Sequence, residues 1–287
     1  MSFLFSGFDP SMYEAYVRKA RTLVVFLQQH RIRLAHDSRV MVYIRQLEEG
    51  PGRNVSVRHR ALLELDDLRL VVDALACPEP LRGWQDRVQA LVAGHALPQD
   101  DTQATARNLQ FELVLASLLR RAGYEVELRE PDVIATSPEL SFAFAAKRPK
   151  SRKKLPQNIR DANRQIRHQV NSSSLCGVVA LDLSQLLNPQ NGYLSSESFS
   201  EASTKVHIEL HDFVRKHAAA FRRSVDPQTT IAIATYFPCL VLDCSRGTLG
   251  YVRAWSFANM CDHNDPRFEI LRRLGERVGI ASYLQAG

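Results

Sequence analysis

Apolar residues recur along the chain with two different periods, and the change falls near residue 100. Up to that point the spacing is helical. It predicts a helix over residues 11–34, a second over 37–49 that opens at Asp37-Ser38 and is closed by Gly50-Pro51-Gly52, and a third over 56–76. In the third, Leu62, Leu65, Leu68, Val72 and Leu75 fall at i, i+3, i+6, i+10 and i+13, a single apolar stripe. Asp66 and Asp67 lie between stripe positions and are expected on a solvated face. A fourth helix is expected over 81–93, after Pro80, and residues 94–101 read as a linker or sharp loop.

Beyond the linker the period alternates between 3.6 and 2. A helix over 102–122 ends before Gly123, a natural left-handed cap. Three strand-like runs follow at 125–129, 132–136 and 140–147, then a helix over 156–170 and an apolar strand over 177–183. The order is α-β-β-β-α-β. An amphipathic helix over 197–223, β-rich runs at 230–237, 240–243 and 249–255, and a helix over 267–278 complete the chain. The expected class is α/β: a helical N-terminal region (1–100), then a domain (101–287) of helices on a mixed sheet extended at its C-terminal end.

Composition removes several alternatives. Of 287 residues, 45% are hydrophobic and 24% charged, as in a globular protein. No apolar run is long enough to span a bilayer, and the first ten residues lack the basic start and apolar core of a signal peptide. The five cysteines are scattered without a CxxC, so neither a disulfide framework nor a zinc ribbon is expected, and a reducing cytoplasm is. The phosphate-loop, dinucleotide and nucleophile-elbow patterns are absent. The net charge of +6 is concentrated: residues 147–167 carry nine basic side chains against one acid, +8, which leaves −2 on the rest.

Three places carry candidate chemistry. Glu112 shares a helix face with Leu109, Leu115, Ala116 and Leu119, and a carboxylate buried there needs a partner. Pro131-Asp132 puts an acid at the mouth of an apolar strand. In the next strand, alternation sends Leu140, Phe142, Phe144 and Ala146 to a core face. Ser141, Ala143, Ala145 and Lys147 go to a small, polar face of the kind that a substrate or ion can approach.

Taken in order, Asn108-Leu109-Gln110-Phe111-Glu112, Gly123-Tyr124-Glu125-Val126, Pro131-Asp132 and Ala145-Ala146-Lys147-Arg148-Pro149 resemble the PD-(D/E)XK, restriction-endonuclease-like nucleases. The resemblance covers residues 102–183. It implies a metal-dependent endonuclease that hydrolyses DNA phosphodiester bonds, of the kind used in restriction or anti-phage defence. Mg2+ would be the cofactor, with Mn2+ able to substitute. Asp132, Glu112 and an acid at position 145 would hold the ion, Lys147 would orient the attacking water, and Gln165 on the following helix would support the site, with Gln169 second. Carboxylate oxygens suit such a hard cation, which would acidify a bound water.

One position departs from the pattern. Typical members carry an acid two residues before the lysine; this chain has Ala145. An introduced Glu→Ala change, a natural loss, or migration of the acid to Glu139 or Glu130 would each account for it. The intact surroundings favour a single-step loss. Glu139 is six residues away, about 20 Å in an extended strand, and fits poorly. In any of the first two cases this chain would be inactive.

Arg148, Lys150, Arg152, Lys153 and Lys154, with Arg160, Arg164 and Arg167 along one face of the next helix, are candidate phosphate contacts that would not read base sequence. DNA is the expected partner, with RNA open. The N-terminal helices would bind a protein partner, form a homo-oligomer or position the substrate. Two rivals remain: a non-catalytic nucleic-acid-binding or scaffold protein with the nuclease fold, and a helical interaction protein whose basic loop binds an acidic protein. His207 and His211, spaced i, i+4, lack a third ligand and are read as a helix surface; Trp84 and Trp255 are read as core.

Overall fold

The computed structural model describes residues 4, 10–49, 55–76, 80–93, 105–170, 175–262, 264–279 and 283–285. The N-terminal part is helical as expected: α1 (Pro10–Gln29), α2 (Arg39–Glu48), α3 (Val55–Ala76) and α4 (Trp84–Val92). The first helix stops five residues early because Arg31 adopts a left-handed backbone. Residues 50–52 and the linker over 94–101 lie outside the described residues.

The α-β-β-β-α-β order is present: α5 (Thr105–Arg121), β1 (Glu125–Glu127), β2 (Val133–Thr136), β3 (Ser141–Lys147), α6 (Leu155–Val170) and β4 (Cys176–Asp182). Gly123, with φ of 84°, closes α5 and lets Tyr124 N–H reach back to the Leu119 carbonyl. Then come α7 (Ser184–Leu187), β5 (Tyr193–Ser196), α8 (Phe199–Ser224), β6 (Thr230–Asp243), β7 (Thr248–Asn259), α9 (Arg267–Arg277) and β8 (Tyr283–Gln285).

Among the described residues, eight strands form one mixed sheet in the order β1-β2-β3-β4-β6-β7-β8, with β5 pairing β6. The pairs β1–β2, β2–β3 and β6–β7 are antiparallel; β3–β4, β4–β6, β5–β6 and β7–β8 are parallel. The runs expected at 230–237 and 240–243 are one strand that passes through Pro238. The proline falls between the end of β4, opposite Tyr236, and the start of β5, opposite Leu240, where a missing donor disturbs neither ladder. Gly177 lies where β4 meets α6; a Cβ there would collide with the Ile166 side chain and the Thr229 carbonyl.

Both faces of the sheet are covered. Phe142, Phe144, Ala146, Val178 and Ala180 pack against the N-terminal helices, α5 and α9. Ala145, Val179, Leu181 and Ile233 pack against α6 and α8. The division at residue 100 therefore does not separate two cores: Leu27, Leu62 and Val88 share one apolar cluster with Phe111, Phe144 and Trp255. Among the described residues no helix is long and apolar enough to cross a membrane.

Candidate functional site

The antiparallel register of β2 and β3 pairs Val133 with Phe144, and one step further Asp132 falls opposite Ala145. The Asp132 Oδ2 accepts a 2.7 Å hydrogen bond from the Ala146 N–H and lies 3.4 Å from the Lys147 Nζ. Lys147 also donates to the Ala146 carbonyl at 3.0 Å. Burial raises the Asp132 pKa, and the Lys147 charge and the Ala146 N–H oppose that rise.

Glu112 comes to the same place from α5. Its side chain is only 16% exposed, and burial, then the Asp132 charge, push its pKa up to about 7. Arg87 of α4, 3.9 Å away, and Lys147 pull the other way. The partner that a buried Glu112 requires is thus Arg87, whose guanidinium is also held by the Leu128 carbonyl. Nothing in the spacing around Arg87 singles it out in the sequence. Exposed Glu130 raises the pKa of both carboxylates, so it belongs to this neighbourhood. Glu139 does not: it pairs with Arg273 and Arg277.

Position 145 is not open. Ala145 has no exposed surface and belongs to the apolar cluster with Leu155, Ile159 and Ala162 of α6. The small face of β3 is therefore a second core face, because α6 returns over it. Among the described residues no group of three or more His, Cys, Asp or Glu side chains is arranged to hold a metal ion. Asp132 is engaged by Lys147 and a backbone N–H, Glu112 by Arg87, and position 145 offers a methyl group. This donor set does not fit Mg2+ or Mn2+.

Gln165 is half-buried with its side-chain oxygen lacking a partner, and no contact joins it to Asp132 or Lys147. The parallel β3–β4 pair requires the intervening α6 to run back along the sheet. Gln165, ten residues beyond Leu155, is therefore carried about 15 Å down the helix, away from the Lys147 end of β3. Gln169 lies further still.

Arg148 is not a surface phosphate contact. Alternation turns it to the face opposite Lys147, where its Nε lies 2.9 Å from Asp182 Oδ2 and its Nη2 donates to Ser184 Oγ at 3.1 Å. Asp182 also accepts from the Ser184 N–H, the turn-forming role its position suggests. Lys150, Lys153 and Lys154 are exposed and have no acidic partner among the described residues. Arg152 is exposed over the Phe213 ring at 5.9 Å, and Lys153 and Lys154 share its single 3-10 turn. Arg160, Arg164 and Arg167 all lie exposed on α6, but Arg164 pairs with Asp161 and Arg167 with Asp226. Exposed pairs of this kind are weak and leave the charge available to compete for phosphate.

The expected solvation of Asp66 and Asp67 is wrong. Both are buried and face Arg253 of β7. Asp67 also accepts from Tyr236 at 3.2 Å, and burial pushes its pKa up to about 6 against the Arg253 charge. Nearby, Arg39 pairs with Glu64, and Gln110 reaches Asp67. α3 is buried nearly all round because α2, α5 and the sheet enclose it. The Nδ1 of His207 meets the Ser203 carbonyl.

Comparison with protein families, with curated proteins and with solved structures finds no match to this chain.

Proposed function

We propose that this chain is a restriction-endonuclease-like protein that grips the phosphodiester backbone of nucleic acid, DNA first, and does not cut it. The supporting observation is one juxtaposition: Asp132 opposite position 145 and bridged to Lys147, with the free charges of Lys150, Arg152, Lys153 and Lys154 immediately after. Lys147 and the basic turn supply cations for phosphate oxygens. Glu112 and Asp132 are the residue of a carboxylate set whose third member is absent, and no metal-assisted step is available to it.

Anisotropy of labelled duplex DNA tests the grip. Four phosphate contacts give a slope of about −3.6 in log affinity against log salt, so affinity falls on the order of 100-fold between 50 and 200 mM salt. A flat response would remove the nucleic-acid reading and favour an acidic protein partner. The catalytic ancestry has its own test. Ala145→Glu is expected to lose stability in chelator, because the new carboxylate joins a closed apolar cluster, and to regain it with Mg2+ or Mn2+ together with plasmid cleavage. A folded variant that neither binds metal nor cuts would leave a binding protein or scaffold as the reading.

A further inference from the structure

Away from Asp132 and Lys147, a cavity of about 510 Å³ opens between the C-terminal half of α5, β7 and the end of α9. That volume is in the range that encloses cofactor-sized molecules. Leu70 of α3 and His207 of α8 also line it, and the rest of its walls are of two kinds. Val114 and Leu118 of α5 and Trp255 of β7, itself 8% exposed, make an apolar side. Arg121 and Arg277 supply positive charge, and no acidic side chain lines the cavity among the described residues.

The basic residues are not equivalent. Arg253 also lines the cavity, but Asp66 and Asp67 claim its charge. Arg277 is only loosely committed, 3.8 Å from Glu139 with its guanidinium 5.5 Å from the Tyr124 ring. Arg121, in the last turn of α5, is exposed and has no ion-pair partner among the described residues. Of the three guanidinium groups that line the cavity, that of Arg253 is therefore neutralised, and those of Arg121 and Arg277 are available to an anion. Guanidinium forks match the planar pairs of oxygens on phosphate, and the part of the Trp255 indole that Phe111 and Tyr236 leave uncovered offers apolar contact to a flat ring.

We propose that this cavity binds a small organic anion built of a phosphate and a planar ring, of nucleoside monophosphate chemistry, with the phosphate at Arg121 and Arg277 and the ring against Trp255. The proposal is independent of the nucleic-acid reading, whose residues line none of this cavity. Calorimetric titration of the full chain with adenosine 5′-monophosphate is expected to give saturable binding with Kd below about 1 mM. Adenosine alone and inorganic phosphate alone are each expected to bind at least about tenfold more weakly. Arg121→Glu, on an exposed side chain whose folding circular dichroism can verify, is expected to weaken adenosine monophosphate binding by at least about tenfold. In a Trp84→Phe background the only remaining tryptophan is Trp255, and its emission should change with the same midpoint. No saturable binding, or equal binding by folded Arg121→Glu, would overturn the proposal. So would adenosine or phosphate alone binding as tightly as the nucleotide.

Discussion

Replacing Glu112 by glutamine is expected to stabilise the protein at pH 8 and to leave it unchanged at pH 4. An ordinary glutamate titrates near 4.5, whereas Glu112 is pushed to about 7, first by burial and then by Asp132. A group whose folded pKa is raised in this way contributes fully below 4.5, and that contribution is lost as pH rises through 7. Ionising it in the folded state at pH 8 costs about 3 kcal/mol. Glutamine keeps the shape and the neutral state at every pH. It forgoes the Arg87 pair, 3.9 Å apart, but that attraction is already contained in the raised pKa. The net gain at pH 8 is therefore about 3 kcal/mol. Urea denaturation followed by circular dichroism at pH 4, 6 and 8 measures it. No gain at pH 8, or an equal gain at pH 4, would refute the reasoning, because ionisation could not then be the cause. The side chain is a carboxylate held at a cost to the fold, as at sites where chemistry rather than packing sets the residue.

Two further outcomes separate structural cations from binding ones. Arg148→Ala leaves Asp182, 5% exposed, without its cation, and should cost roughly 3 kcal/mol in urea denaturation while leaving the salt slope of DNA binding unchanged; a loss below about 0.5 kcal/mol would return Arg148 to the surface. Lys153→Ala combined with Lys154→Ala should do the reverse, flattening the salt slope by about 2 with melting unchanged. An unaltered slope would show that the basic turn does not touch phosphate.

The element order was legible because period is a local property: the stripe on α3 and the alternation in β3 each need only a few residues to declare themselves. The short β5 and β8 have no such run, and they are strands because β6 and β7 offer them edges. Arg148 could have been placed correctly, since the alternation that sends Ala146 to a core face sends residue 148 there too. Position 145 could not. Alanine suits a face left open for a ligand and a face packed under a helix equally well, and only the return of α6 decides between them. The same limit explains Asp66 and Asp67. On an amphipathic helix they would face water, but α3 has no wet side over that stretch, because α2, α5 and the sheet surround it.

That enclosure ties the helical layer to the candidate site. Arg87 of α4 is a cation facing Glu112, and α3 supplies Asp66 and Asp67, which hold Arg253 on the sheet. Without residues 1–100 the sheet would carry an unpaired Arg253 and expose Phe111, Phe144 and Trp255, and the Glu112 pKa would lose one of its two opposing cations. The unpaired Arg253 and the exposed apolar side chains are costs of kilocalories in a fold whose total margin is about ten. The N-terminal helices therefore act on the site by setting its charge balance and closing one face of its sheet, and a domain cut at residue 100 is not expected to fold with its carboxylates in place.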